Sequence, residues 1–252
     1  ASEWIGAISS NLEELPVGVW VALDYFDLSL ANTYVENLGG LPLLDLRGPA
    51  LNEYSRLLKR IFDLVSATFL LILLSPLMVL TGLVVLIDAG WPIFFLQKRV
   101  GENGRPFTMI KFRTMVRDAE ELRGQVERID ETGALIHKSP NDPRVTRSGK
   151  VLRRLSLDEL PQLLNVVAGD MSLVGPRPEL PYLAENYDHW QRRRLSVPPG
   201  ITGWWQVNGR SNHVMHLHTE DDIYYIENYS IWLDLRILIR TVWVVIVGDG
   251  SF

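Results

Sequence analysis

Asp158 and Glu159 stand side by side in the stretch SLDELPQLLNVVAGDMSLVGPRP, residues 156–178, and a stiff Pro176-Arg177-Pro178 turn closes it. Pro161 has no backbone donor and fits only the first turn of a helix, so a helix is expected to begin close to Asp158. Leu160, Leu163, Leu164 and Val167 follow at helical spacing. Both carboxylates would then lie at a helix N-terminus, where the dipole and unpaired N–H groups favour negative charge. Such an end can keep an aspartate ionised and also hold a phosphate. The plainer reading is a capping box, Ser156 with Glu159, which would only start the helix.

The surroundings of the pair weigh towards chemistry. Arg144, Arg147, Lys150, Arg153 and Arg154 precede it, and Arg192, Arg193 and Arg194 follow, within a chain of formal net charge -5. That net charge argues against a general nucleic-acid binder. A basic run beside two acids suits a small anionic substrate, although either run alone is more often a solvated face. The 252 residues contain no cysteine, which excludes disulfides and thiolate metal sites and fits a reducing compartment. The chain starts at Ala1 without the pattern of a signal peptide and reads as a truncated or processed product.

Residues 1–55 look unlike the rest. Two β-type runs, residues 15–23 and 41–46, flank a helical stretch at 30–37, the pattern of the end of an α/β domain. Residues 64–87 carry no charge and are long enough to cross a hydrocarbon core of roughly 30 Å. Ser75-Pro76 lies near their middle, where proline kinks a helix. Arg56, Lys59 and Arg60 precede the run, and Lys98, Arg99 and Arg105 follow it, so the positive-inside bias would place both flanks in the cytoplasm. A straight span and a helix that enters, bends and leaves by the same face are about equally compatible with these residues.

Residues 93–97 and 106–115 read as strands joined around Asn103-Gly104, a hairpin turn signal. Lys111 and Arg113, two apart, would project from one face as phosphate contacts or as an exposed cationic edge. Residues 116–129 and 182–195 read as polar helices. The last apolar segment, 231–247, is interrupted by Asp234, Arg236 and Arg240, and suits either an interfacial helix with Trp232 and Trp243 or a buried amphipathic one.

Taken in order, KRIFDLVSA, the Ser75-Pro76 helix, KFRTM, DPRVTRSGKVLRRLSLDELPQLLNV, GDMSLVGPRPEL, PPGITGWWQVNGR and DDIYYIENYSIWLDLRIL resemble the monotopic phosphoglycosyl transferases. These are the bacterial sugar transferases that prime polysaccharide and glycoconjugate assembly. The resemblance covers residues 57–247. It implies an α+β monotopic membrane protein with a re-entrant helix over about residues 60–87 broken at Ser75-Pro76, a small β-hairpin, and interfacial amphipathic helices around the site. Residues 56–252 would be the catalytic domain. Residues 1–55 would be the C-terminal remnant of a degenerate Rossmann-like domain in a long-form member lacking its N-terminal transmembrane bundle, and a candidate homodimer surface.

The resemblance further implies transfer of a sugar 1-phosphate from a UDP-sugar to polyprenol (undecaprenyl) phosphate, with release of UMP, at the cytoplasmic face of the bacterial inner membrane. Asp158 would attack the β-phosphate to form a covalent phosphosugar–aspartyl intermediate, with Glu159 as acid/base or orienting partner. An ionised carboxylate is a competent nucleophile at phosphorus. Mg²⁺, with Asp158 as its carboxylate, would offset the phosphate charge. A zinc site at His213, His216 and His218 is the less favoured alternative. Lys111, Arg113, Arg154 and Arg177 would hold phosphates, Pro176 and Pro178 would shape the uridine turn, and Gln206, Asn208 and Arg210 would face the substrate. One departure lies at Pro198, where the family usually carries a basic residue before Pro-Gly; Arg194 is the cation that could replace it. A membrane-attached nucleotide-sugar-binding or scaffolding module is the alternative reading, and a metal-dependent phosphohydrolase a third.

Overall fold

The computed structural model describes residues 19–22, 34–38, 41–47, 51–119, 128–129, 135–136, 142–208 and 219–247. Three strands, β1 (Val19–Ala22), β2 (Tyr34–Leu38) and β3 (Leu41–Arg47), form a sheet in the order β1-β3-β2, antiparallel throughout. The helix expected over residues 30–37 is overturned from Tyr34 onward, since Tyr34 pairs with Asp45 and Leu38 with Leu41. The sequence explains it: Tyr34 and Val35 favour strands, and Gly39-Gly40 is a two-residue hairpin signal.

Helix α1 (Glu53–Asp88) runs 36 residues and is the one helix among the described residues long and apolar enough to cross a membrane. Asn52 caps it, accepting from the Ser55 N–H at 2.7 Å. The helix continues through Pro76. That proline lacks the N–H that would reach the Ile72 carbonyl. The Ser75 hydroxyl donates to this carbonyl instead, at 2.8 Å.

Both ends of α1 dock on the same folded body, while its middle is bare. Near the start, Lys59 donates to Asp234 at 2.8 Å, and Asp63 accepts from the Leu173 N–H at 3.1 Å. Arg60 donates to the carbonyls of Val166 and Val167 at 2.6 and 2.9 Å. Near the other end Val85 packs with Phe112 and Leu152, and Asp88 accepts from the Ser148 N–H at 3.0 Å. Between them Phe69, Ile72, Leu73, Val79 and Leu80 are exposed. Lys59, expected among the flanking charges, is buried in its ion pair and is not a topogenic surface charge.

Strands β4 (Phe94–Val100) and β5 (Pro106–Phe112) form the expected hairpin, with φ of 55° at Asn103 and 74° at Gly104. Of the polar helix expected over residues 116–129, residues 120–127 lie outside the described ones; Arg128–Ile129 (β6) instead pairs with Leu135–Ile136 (β7). Helix α2 (Arg147–Arg154), a 3₁₀ turn at Leu157–Glu159 and α3 (Gln162–Ala168) lead to β8 (Ser172–Val174), which pairs in parallel with β9 (Gly200–Thr202). The single helix expected over residues 182–195 is broken into α4 (Pro181–Ala184), α5 (His189–Arg192) and a 3₁₀ turn at Arg193–Ser196. Asp188, whose N–H donates to Gln191 at 2.9 Å, starts α5 afresh in a capping box.

Helices α6 (Trp204–Asn208), α7 (Glu220–Glu227) and α8 (Ile231–Val247) complete the chain. Helix α8 combines both of its expected natures. Leu233, Asp234 and Ile237 are buried, and Trp232, Ile239, Val242 and Trp243 are exposed. One core joins α1, β5, α3, β8, α7 and α8 through Ala67, Met109, Val166, Leu173, Tyr225 and Ile237.

Removing one partner of a buried ion pair strands the other charge, at a cost of about 3–5 kcal/mol. Asp234→Ala should therefore lower the midpoint of thermal unfolding sharply. Asp63 is the second buried carboxylate beside Lys59, at 3.8 Å, so the variant that leaves no charge stranded is the triple Lys59→Met/Asp63→Asn/Asp234→Leu. It should recover most of that loss, and no recovery would show that the ion pairs are not the source.

Candidate active site

The acid pair precedes a helix rather than starting one. Pro161 takes the N-cap position of α3, so Asp158 and Glu159 fall on the 3₁₀ turn before it. Ser156 sits in the left-handed region at φ 53° and makes no capping bond, so the capping-box reading fails. The turn sends the two carboxylates into different surroundings. Glu159 accepts from Lys111 at 2.8 Å and from Arg177 at 3.2 Å, both on the same oxygen, Oε1. Asp158 is buried and accepts no hydrogen bond among the described residues.

Burial is the main force on Asp158 and pushes its carboxyl up to about 6; the neighbouring Glu159 charge adds to this, while Lys111, Arg153 and Arg177 pull it down. Burial likewise depresses the Lys111 ammonium, with Arg177 adding to the effect and Glu159 opposing it. A carboxyl whose pKa is displaced towards neutrality is a common mark of a working site.

Each cation is held by backbone or amide contacts. The Asn165 side chain on α3 donates to the Thr108 carbonyl at 2.8 Å and accepts from the Ile110 N–H at 3.1 Å, which locks the edge of β5 beside Lys111. The Pro176-Arg177-Pro178 turn is gripped from behind. Arg99 donates to the Pro178 carbonyl at 3.1 Å, Arg194 to the Arg177 carbonyl at 2.9 Å, and the Gly200 N–H to the Pro176 carbonyl at 2.8 Å. Strands β8 and β9 pass so closely that a Cβ on Gly200 would lie 2.1 Å from the Gly175 nitrogen. Only glycine fits there.

Arg99, Lys111, Glu159, Arg177, Met109 and Ile201 line a small open cleft, and Glu159 rather than Asp158 forms its acidic wall. Pro178 also lines it. Arg113 lies near the same strand, with its buried Nη1 unpaired. Arg154 is exposed at the end of α2, whereas its neighbour Arg153 donates to Thr114 at 2.9 Å and acts on Asp158. The one-residue difference follows from the helical phase of α2. Arg194 is buried and ion-paired with Asp222 at 2.6 Å, so it cannot stand in for the cation missing at Pro198. Gln206 is buried and donates to the Ile201 carbonyl at 2.9 Å, and the exposed Asn208 pairs with Arg240. Arg210, His213, His216 and His218 lie outside the described residues.

Neither Arg99 nor Arg153 is distinguished as a site residue by its local sequence. Arg99 had a signal in the hairpin register: it faces Phe107, and Phe107, Met109 and Lys111 alternate onto one face. Among the described residues no three His, Cys, Asp or Glu side chains cluster to cage a metal. A single unbonded carboxylate fits an ion such as Mg²⁺, which takes few protein ligands and otherwise water and phosphate.

The family model for the bacterial sugar transferases matches residues 54–248, and the chain belongs to that family. It is 46% identical over 194 residues to the uncharacterized sugar transferase EpsL of Bacillus subtilis, covering 77% of this chain and 90% of the relative. It is 43% identical over 202 residues to the UDP-galactose-lipid carrier transferase of Erwinia amylovora, covering 79% and 42%. Over 251 residues it is 38% identical to the UDP-glucose:undecaprenyl-phosphate glucose-1-phosphate transferase of Xanthomonas campestris, covering 94% and 49%. The chain thus spans nearly all of one shorter relative and about half of the longer ones.

If Asp158 must be ionised to act, activity should fall as pH drops through about 6. Glu159→Gln removes the like charge and should move that acid limb to lower pH in whatever activity remains. A limb that stays in place would dissociate it from Asp158.

Proposed function

We propose that the protein transfers a sugar 1-phosphate from a UDP-sugar to polyprenol phosphate and releases UMP. The observation that carries this reading is Asp158: a buried carboxylate with no hydrogen-bond partner among the described residues, set within the influence of Lys111, Arg153 and Arg177. In the first step an Asp158 oxygen bonds to the β-phosphorus, the bond to the bridging oxygen breaks, and UMP leaves. In the second, a phosphate oxygen of the polyprenol carrier attacks the same phosphorus and returns the Asp158 carboxylate. Splitting one transfer into two displacements is what a nucleophilic carboxylate offers. Lys111 and Arg177 would bind phosphate oxygens, with the clamped Pro176-Arg177-Pro178 turn spending little entropy on binding. Glu159 would handle the proton or orient the substrate. Mg²⁺, held by Asp158, would neutralise phosphate charge when bound. The names of the relatives favour UDP-glucose or UDP-galactose as donor.

The same reading places the protein on the cytoplasmic face, with α1 re-entrant. Three features support this topology: both ends of α1 dock on one body, its exposed apolar middle lies between them, and Ser75 covers the carbonyl exposed by Pro76. A straight span would separate those ends by the hydrocarbon thickness.

Radiolabelled UDP-glucose and UDP-galactose, each with and without polyprenol phosphate, test the reaction. Lipid-dependent UMP release with label in the lipid phase is expected. Lipid-independent release would mean a hydrolase, and no release a binding module. Asp158→Asn should abolish turnover and the trapped covalent intermediate; substantial residual turnover would remove Asp158 as nucleophile.

The cysteine-free chain also allows single cysteines to be introduced beside Arg56 and Lys98. Both should label from the cytoplasmic side. Labelling from opposite sides would rule out re-entrance.

A further inference from the structure

The cleft holds three cations, Arg99, Lys111 and Arg177, against one carboxylate on its wall, Glu159. That carboxylate makes an anion's contacts. One oxygen receives both Lys111 at 2.8 Å and Arg177 at 3.2 Å, the arrangement a phosphate oxygen would take. Asp158, meanwhile, is buried and does not line the cleft. Glu159 therefore holds the two cations that an incoming phosphate would need, at the edge of the cleft next in sequence to Asp158.

We propose that the diphosphate of the donor binds by displacing the Glu159 carboxylate from Lys111 and Arg177, with Arg99 as a third phosphate-binding cation, and that this exchange opens the way to Asp158. The inference rests on the transferase reading above, which supplies the diphosphate.

Arg99 is suited to the role by its fixed position. Gln97 Oε1 accepts from its Nε at 3.1 Å and from Nη2 at 2.7 Å, and Pro178 O accepts from Nη1, so the guanidinium is anchored without a strong ion pair; Glu179 is 3.8 Å away. Its side chain is 16% exposed. Burial, and next the Arg177 charge, lower its pKa to about 10; an arriving anion would offset the second of these.

The exchange makes Glu159 a competitor of the substrate as well as a catalytic partner. Removing its charge should therefore tighten binding while slowing turnover. A residue that only positions substrate or supports a metal would weaken binding when altered.

Calorimetric titration of UDP into the full chain in detergent, with chelator present to remove metal, separates the two. Glu159→Gln should bind UDP about tenfold tighter than the native protein, the scale of one charge-assisted hydrogen bond. Glu159→Asp, whose shorter side chain draws back from Lys111, should shift in the same direction and serves if the glutamine variant does not fold. Arg99→Gln should weaken UDP binding about tenfold. Unchanged or weaker binding in the Glu159 variants overturns the exchange, and unchanged binding in Arg99→Gln removes Arg99 from the site. Native protein that binds UDP, tightens as expected in Glu159→Gln, yet releases no UMP with lipid would sink the transferase reading and leave the exchange standing.

Discussion

The hydrogen-bonded pair of Lys59 and Asp234 is the joint on which the described body depends. It ties the start of the apolar helix α1 to the C-terminal helix α8, with both charges out of water. Asp234 also accepts from the Tyr225 hydroxyl at 2.7 Å, and that hydroxyl lies 3.2 Å from the Val174 carbonyl. Asp63, one turn along α1 from Lys59, accepts from the Leu173 N–H. The strand that runs into Gly175 and the Pro176-Arg177-Pro178 turn is thus pinned on both sides by the junction of two helices.

Behind the cleft the same economy of charge recurs. Arg194, Asp222, Glu179 and Tyr187 form a buried cluster in which each charge faces an opposite charge or a hydroxyl. Its product is a fixed carbonyl, that of Arg177, and a backbone bridge from Glu179 to Val100 on the hairpin. Neutralised charges hold the scaffold, whereas Arg99, without a close ion pair, lines the cleft, and Asp158 lies buried beside the cleft-lining Glu159. This division explains why Arg194 is unavailable to a ligand although it follows two other arginines: its partners, contributed from 28 residues away at Asp222, are invisible in local sequence.

What local pattern governs was legible. The hairpin at Asn103-Gly104, the apolar run of α1, the acid pair with Pro161 and the Ser75-Pro76 motif all depend on neighbours in sequence, and all are present. What failed depended on phase or on distant partners. Pro161 was assigned to the first turn of a helix, but its cap position moved the acids onto a 3₁₀ turn. Arg153 and Arg154 are indistinguishable until α2 has a buried side, which Leu152 and Gly149 define. Residues 34–37 carry a local strand signal in Tyr34 and Val35, but their place in the sheet rests on pairing with β3 across the turn.

The exposed apolar surfaces share a logic with the joint. The middle of α1, Trp91 and Leu96 at the hairpin, and the outer side of α8 with Trp232 and Trp243 leave more large apolar side chains bare than water tolerates cheaply. Arg236 and Arg240 are exposed on α8 between those tryptophans, where long cationic side chains can reach toward headgroups. In hydrocarbon an unpaired carbonyl costs several kcal/mol, so a proline in α1 is tolerable only if the Ile72 carbonyl finds another donor nearby. Ser75 supplies it from the adjacent residue. A bend placed there needs no help from the rest of the protein, which leaves the folded body to hold the two ends of α1. The polar cleft and the apolar surfaces are thus carried on one folded body, an arrangement that suits a reaction between a water-soluble nucleotide and a lipid phosphate.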